Sequence, residues 1–431
     1  MKVLVISHNS FSKTHNNGKT LSAMFSAFRK EELCQLYFTP VGSPDFDRCV
    51  DYYLISDKDA LKSIIQRRQC GIIAIRRNEN YNQRIQSSSR MKPRPTKTKK
   101  FIRSLVWLLS GWYYGGLNKW LAAQKPNVIF YVGGDSFFSH YIAMKLSNKL
   151  QVPLISYFTD DYIINPPEDL YNKILKHIYK KTINKSTKLF AIGTKMADDY
   201  AVYYQREFKP IMNIVDIPPE VQNKISIKEV ITINYFGGLH LGRFQELIRF
   251  AQFMKSDVCE MLKKKYTIGV YSFTSISDDM RKKMAEVGIT LNPGVTGDEL
   301  KHIMQGTDIF LHVESVRADF HSLTKLSVST KIPEYMSLAK PIIAFGPADV
   351  ASFRVIADAN PTMVINDIAD PAQMKEQASR IITLINSDER LKEIAACNYT
   401  YAKTHFDKAV VAKKFKKELQ ELVAQDRVIV E

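Results

Sequence analysis

Short apolar runs alternate with stretches of helical period along the whole chain. Residues 2–7 open it as a buried-type strand, a polar loop follows, and a helix is expected from about Lys19 to Arg29. Strand, loop and helix at the outset is how a doubly wound α/β domain begins. Apolar runs at 33–38, 49–55 and 71–75 predict further strands, as do 127–135 and 152–161 with a helix over 136–150 between them. Helical stretches at 168–184 and 194–206 flank a strand at 189–193. Residues 208–222 carry three prolines and read as a connection. The alternation then repeats: strand 231–236, helix 243–263, strand 266–272, helices 277–287 and 298–305, strand 308–313. A loop, short helix and strand over 326–347 follow, then a helix 348–358, a strand 363–365 and a helix 371–386. A last helix, 407–423, sets Val411, Phe415, Leu419 and Leu422 on one face. The expected organisation is two α/β domains, 1–210 and 226–405, joined by a linker 211–225 and followed by a terminal helix 406–431.

Length agrees with two domains, since 431 residues exceed what one hydrophobic core usually serves. No run of about 18 apolar residues exists, so a spanning helix is not expected. The four apolar residues after Lys2 are too few for a signal-peptide core. Five scattered cysteines without zinc spacing suit reduced thiols in a cytoplasmic protein.

The net charge of +17 changes the picture because it is localised. Between Lys62 and Arg103 there are 13 Lys/Arg against one acidic residue, Glu79, which accounts for +12 of it. Trp107, Trp112, Tyr113, Tyr114 and Trp120 come directly after. Basic residues beside an aromatic cluster point to an anionic membrane surface as the partner of 62–121. Nucleic acid is the weaker reading of the same pattern, and an aromatic core of a helical hairpin under a basic face is the structural one.

Two stretches carry candidate chemistry. In 326–347, Ser329 and Thr330 are helix-start residues, Pro333 suits a first turn, and Glu334 follows one turn later. A helix start presents backbone N–H groups suited to a diphosphate, and a carboxylate just beyond suits a vicinal diol such as a ribose. In 230–247, a strand ends in Gly237-Gly238, which lets a ligand approach the backbone, and Arg243 opens an amphipathic helix. Either stretch alone is also an ordinary capped helix or strand end.

In this order and spacing the two stretches resemble the donor-binding domain of retaining GT-B glycosyltransferases of glycosyltransferase family four, bacterial surface-polysaccharide type. Glu334 and Ala339-Lys340-Pro341 match the end of that family's Glu, seven residues, Glu motif and its Gly-Lys-Pro. The resemblance implies two Rossmann-like doubly wound domains facing across a cleft, with the C-terminal helix crossing back to the first domain. It implies a nucleotide diphosphate sugar held by the second domain and an acceptor held by the first. Arg243 and Lys331 would then stabilise the departing diphosphate with the N–H groups near Ser329 and Thr330, and Glu334 would accept the ribose hydroxyls. One family cation falls on Gly238 and the first Glu on Leu326; Glu314, beside His312, is the candidate replacement carboxylate.

In the first domain, Asp135, Asp160 and Asp161 lie at predicted strand ends. Asp160, with Asp161 as near-equal alternative, is the candidate for assisting acceptor deprotonation; turn capping competes for either. Gly18 is expected in a loop bordering the cleft. Its Gly-Lys-Thr is not a phosphate-binding P-loop, because Lys13 stands where that motif needs glycine. The acidic triplets at 45–47 and 57–59 lie far from the donor signature, so no essential metal and no resident cofactor are expected. The expected activity is retaining transfer of a sugar to a growing, lipid-linked bacterial surface polysaccharide, at the inner face of the cytoplasmic membrane. A nucleotide-sugar epimerase, or a catalytically silent glycan- or nucleic-acid-binding protein, are the alternatives.

Overall fold

The computed structural model describes residues 1–13, 16–40, 42–66, 70–74, 96–113, 115–166, 168–218, 228–367 and 369–430. Most of the basic stretch, 67–69 and 75–95, and Tyr114 lie outside the described residues. The chain divides into two units, Met1–Ile214 with Lys408–Glu431, and Val215–Asp407.

The first unit begins with β1 (Val3–Ser7), α1 (Asn16–Met24), β2 (Leu33–Tyr37), β3 (Asp51–Leu54), α2 (Asp57–Gln66) and β4 (Ile72–Ala74). It continues with α3 (Lys97–Leu109), α4 (Gly116–Gln124), β5 (Val128–Gly133), α5 (Phe137–Leu150) and β6 (Leu154–Phe158). Then come α6 (Leu170–Lys185), β7 (Lys188–Ala191), α7 (Thr194–Tyr204) and β8 (Lys209–Pro210). The sheet order is β4-β3-β2-β1-β5-β6-β7-β8, parallel except for the β3–β4 pair. β1, β2 and β5 are buried at every position, as strands covered by helices on both faces must be. The order reverses between β1 and β5. That reversal opens a crevice at their carboxyl ends, where ligands of open α/β sheets bind.

The three tryptophans belong to this unit's core, which corrects their expected place on a membrane surface. Trp107 and Trp112 are fully buried and Trp120 nearly so. Trp107 stacks on Phe138 at 4.1 Å, and its indole N–H donates to Asp57 at 2.8 Å. Indole rings have more apolar area to bury than any other side chain, and here a sheet face lies within reach to bury it.

The second unit contains β9 (Val230–Phe236), α8 (Arg243–Phe253), β10 (Lys265–Ser272), α9 (Asp278–Glu286), β11 (Ile289–Pro293) and α10 (Gly297–Gly306). It continues with β12 (Ile309–Val313), α11 (Ala318–Thr324), α12 (Ile332–Ser337), β13 (Ile342–Gly346) and α13 (Ala351–Ala359). β14 (Val364–Asn366), α14 (Pro371–Asn386) and α15 (Asp388–His405) complete it. Its sheet is parallel throughout, ordered β11-β10-β9-β12-β13-β14, and reverses between β9 and β12. The sequence pattern did not reveal β11 or α15. β11 is an edge strand with only Ile289 buried, and α15 packs a narrow face containing Ala395, Asn398 and Ala402. The helix expected over 243–263 ends at Phe253 and passes through a π turn, Met254–Val258, and a 3-10 turn, Cys259–Met261.

The terminal helix, α16 (Lys408–Val430), returns to the first unit. Phe415 lies among Phe25, Phe28, Phe130 and Phe190, with ring centroids 5.2–6.2 Å apart. Lys416 donates to Glu32 at 2.7 Å, and Glu418 accepts from Lys209 at 2.6 Å and pairs with Lys188.

Candidate functional site

At the second unit's reversal, β9 ends at Phe236 and runs into Gly237-Gly238. The Gly237 N–H donates to the Tyr271 carbonyl at 3.1 Å, and the Tyr235 hydroxyl donates to the Gly238 carbonyl at 2.8 Å, so both glycines are held at the strand end. The chain then turns through Leu241 and Gly242, both at positive φ (59° and 77°), and Gly242 caps α8. A Cβ on Gly242 would fall 2.3 Å from Ser315 Oγ. Gly242→Ala is therefore expected to cost about 2–4 kcal/mol in urea unfolding, from left-handed strain plus overpacking; wild-type stability would refute that placement. Gly242 was missed in the sequence, although a glycine directly before a helix was the available signal.

Arg243, the first residue of α8, donates through Nη2 to both oxygens of Glu314, at 2.8 and 3.1 Å. Glu314 directly follows β12 and its side chain is 4% exposed, against 19% for Arg243. Burial pushes the Glu314 carboxyl up, opposed by Arg243 and by Lys331. His312 Nε2 lies 3.4 Å from Glu314 and has no hydrogen-bond partner among the described residues. Burial, then Arg243 and Lys331, bring the His312 pKa down to about 3, so the ring is neutral. Arg243, held by Glu314 beside a neutral imidazole, and the added positive charge of Lys331 suit the site to an anion. Glu314, the candidate replacement carboxylate, thus holds Arg243 in place.

The nearby short helix differs from expectation at its start. α12 begins at Ile332, and the Ser329 N–H is already taken by Ser352 Oγ at 3.0 Å, so it is not an open donor. Thr330 and Lys331 precede the helix; the Lys331 N–H lies 3.4 Å from Ser329 Oγ. Glu334 is half-buried in the first turn, and its neighbour Tyr335 stacks on Phe310 of β12 at 4.0 Å, which fixes the helix on the sheet. Ala339 closes the helix at φ 51°, a left-handed position that explains the glycine of the resembling motif. Leu326 is buried in the core, so no polar group stands at that position.

In the first unit, Asp161 is a turn cap. Its carboxylate accepts from the N–H groups of Ile163, Ile164 and Asn165, from Asn165 Nδ2 and from the Tyr200 hydroxyl, all at 2.8–3.0 Å. Five donors saturate it, which corrects its candidacy as a base. Asp160 is half-buried, with the Thr159 hydroxyl donating to it at 3.1 Å. Gly18 lies inside α1 and not in the loop before it; a Cβ there would meet the Ser10 carbonyl oxygen at 2.3 Å, so it serves close packing. The reversal between β1 and β5 brings together His8, Gly134 and Asp135 instead, with Asp135 paired to Lys100. His8 Nε2 has no partner among the described residues. Only the strand order reveals this residue.

Fold and strand-end sites together define a two-unit α/β protein of the GT-B class. No protein-family model and no curated protein matches the sequence. The fold is similar to Anabaena Alr3699/HepE in complex with UDP, at 12% identity over 98% of this chain and 100% of that one, with a TM-score of 0.61. It is similar to α,α-trehalose 6-phosphate synthase from Burkholderia multivorans at 11% identity, over 100% and 98%, with a TM-score of 0.59. It is also similar to WaaG, a glycosyltransferase involved in lipopolysaccharide biosynthesis, at 13% identity, over 96% and 98%, with a TM-score of 0.54. At these identities the likeness defines the fold, which is the fold class expected from the sequence.

Proposed function

We propose that this protein is a retaining, nucleotide-sugar-dependent glycosyltransferase of family-four type, transferring a hexose to a lipid-linked surface glycan at the inner face of the cytoplasmic membrane. The observation that carries the reading is the Arg243–Glu314 pair at the carboxyl ends of β9 and β12, with the charge of Lys331 also acting on Glu314. Similarity to a protein solved with UDP and with UDP-glucose supports it.

Breaking the bond between the anomeric carbon and the diphosphate leaves negative charge on the departing phosphate oxygen. Preorganised cations stabilise that charge most when they need not move to meet it, about 3 kcal/mol for one donor. Glu314 holds Arg243 in place for this role, and Lys331 supplies the second positive charge. Glu334 accepts the ribose hydroxyls; Gly237 and Gly238 let the diphosphate approach the backbone. The acceptor hydroxyl bonds to the anomeric carbon, its proton passing toward Asp160 or the departing phosphate. No metal is part of the proposal.

A thermal-shift panel of UDP, GDP, ADP and dTDP tests the donor. A nucleotide at 100 times its Kd stabilises the folded state by about 2.7 kcal/mol. Glu334→Ala is expected to weaken the active nucleotide and the transfer rate about tenfold, the loss of a charged hydrogen bond. No shift with any of the four removes the transferase reading. Buried Leu326, where the family places a carboxylate, favours a second reading as a silent nucleotide- or glycan-binding protein. A shift without turnover on any glycan would support that reading.

A further inference from the structure

One turn beyond Arg243, α8 carries a second acid, Glu246, buried at 1% exposure. Its Oε1 accepts from the Ser315 hydroxyl and from the Val316 N–H, both at 3.2 Å. Those two residues directly follow Glu314, so Glu246 ties the loop that carries Glu314 to the helix that carries Arg243. The end of β13 backs onto the same loop, since a Cβ on Gly346 would fall 2.2 Å from the Glu314 carbonyl oxygen. Asp367, directly after β14, donates its N–H to the Gly346 carbonyl at 3.3 Å.

Glu246 and Asp367 converge on one guanidinium. Arg249 Nη1 lies 3.3 Å from Glu246 Oε2 and 2.9 Å from Asp367 Oδ2, and both acidic side chains are buried. Two carboxyl groups this close do not both ionise readily, and a single cation balances one of them. Neither oxygen of Asp367 accepts a hydrogen bond from the described residues, which suits a carboxyl that keeps its proton and donates it to Glu246. Burial, then Glu246, push the Asp367 carboxyl up to about 7, against Arg249. On α14, Gln377 is engaged by the Asn366 N–H at 2.6 Å, and Asp370 caps the helix through the N–H groups of Ala372 and Gln373. Across the loop, Arg243, Lys331 and neutral His312 act on Glu314.

We propose that Glu246 is a positioning residue for the Arg243–Glu314 pair, and that one proton shared between Glu246 and Asp367 holds the loop 314–316 against α8. When that proton leaves to solvent, two like charges face one guanidinium and the loop loosens from the helix. The grip on a diphosphate is then full at slightly acid pH and falls as the pH rises through the titration of Asp367. The consequence for a nucleotide rests on the donor reading above, whereas the loop's attachment to α8 does not.

Amide hydrogen exchange of the full chain, without nucleotide, tests the attachment. Corrected for the intrinsic rate, the Val316 amide is expected to lose at least about fivefold in protection between pH 6 and pH 8.5. Asp367→Asn, which cannot ionise, is expected to show no such loss. Glu246→Gln keeps an oxygen for Ser315 and Val316 and is expected to stay protected at both pH values, while Glu246→Ala loses protection at both. The same split is expected in affinity for UDP, GDP, ADP or dTDP. Between those pH values the wild type weakens about fivefold relative to Asp367→Asn, a ratio from which the nucleotide's own titration drops out. Val316 protection that stays level in the wild type, or that falls equally in Asp367→Asn, overturns the proposal even if a nucleotide binds. Failure of all four nucleotides with the split in protection intact removes the donor reading and upholds the shared proton.

Discussion

Arg243→Met is expected to abolish most transfer, by about a hundredfold or more, and also to lower stability by about 3 kcal/mol. The two losses have different causes and separate cleanly. Transfer suffers because a preorganised cation at the departing diphosphate is gone. Stability suffers because Glu314, 4% exposed and beside the unpartnered Nε2 of His312, is left as a buried carboxylate that has lost its hydrogen-bonded cation. Adding Glu314→Gln removes the stranded charge, so the double variant is expected to recover most of the stability and none of the activity. Urea unfolding and initial transfer rates on the four proteins of this cycle check it. Wild-type stability and rate in Arg243→Met would remove the cluster from the mechanism. Glu314→Gln alone is expected to lose less stability, since the guanidinium left behind is the more exposed partner.

Mild acid is expected to unfold the first unit while sparing the second. His8 and His140 are buried with pKa values brought down to about 4, mainly by burial, against 6.5 for a free imidazole. His140 Nε2 donates to the Gly134 carbonyl and Nδ1 faces the Thr182 hydroxyl, both within 3.0 Å, an arrangement made for a neutral ring. Below about pH 6.5 the unfolded chain takes up protons that these folded rings refuse. Their contribution is full above that pH and falls as the pH drops toward 4, by up to about 1.4 kcal/mol per pH unit for each ring. In the second unit, His312 does the same, but Asp367 offsets it. Burial, then Glu246, push the Asp367 carboxyl up to about 7, so across this window the folded state holds a proton that the unfolded state has released. The two slopes oppose each other. All three tryptophans lie in the first unit, so their fluorescence reports its unfolding alone. The urea midpoint by fluorescence is expected to fall steadily from about pH 7 to pH 5. A flat midpoint would show that these histidines titrate normally.

Much of the fold was readable from local pattern, because buried parallel strands are continuous apolar runs and the helices between them are amphipathic. β1, β5, β6, β9, β12 and β13 fall where the apolar runs predicted them. Gly237, Gly238, Arg243 and Glu334 stand out for the same reason: each marks an element's end, and ends are written in neighbouring residues. Asp161 and Gly18 were misread because a carboxylate after a strand and a glycine at a helix start look alike whether they meet a ligand or the chain itself. Trp107 and Trp120 were misread because a helix's sequence does not say which face turns inward.

What the sequence determined by itself was the alternation of strands and helices, the concentration of positive charge before residue 103, and the residue types at each strand end. What only the tertiary structure decided was which of those ends meet. Arg243 reaches Glu314 across 71 residues because β9 lies beside β12, and His8 meets Gly134 because β1 lies beside β5. Strand order depends on packing whole layers of helix and sheet against one another, and no local pattern contains it.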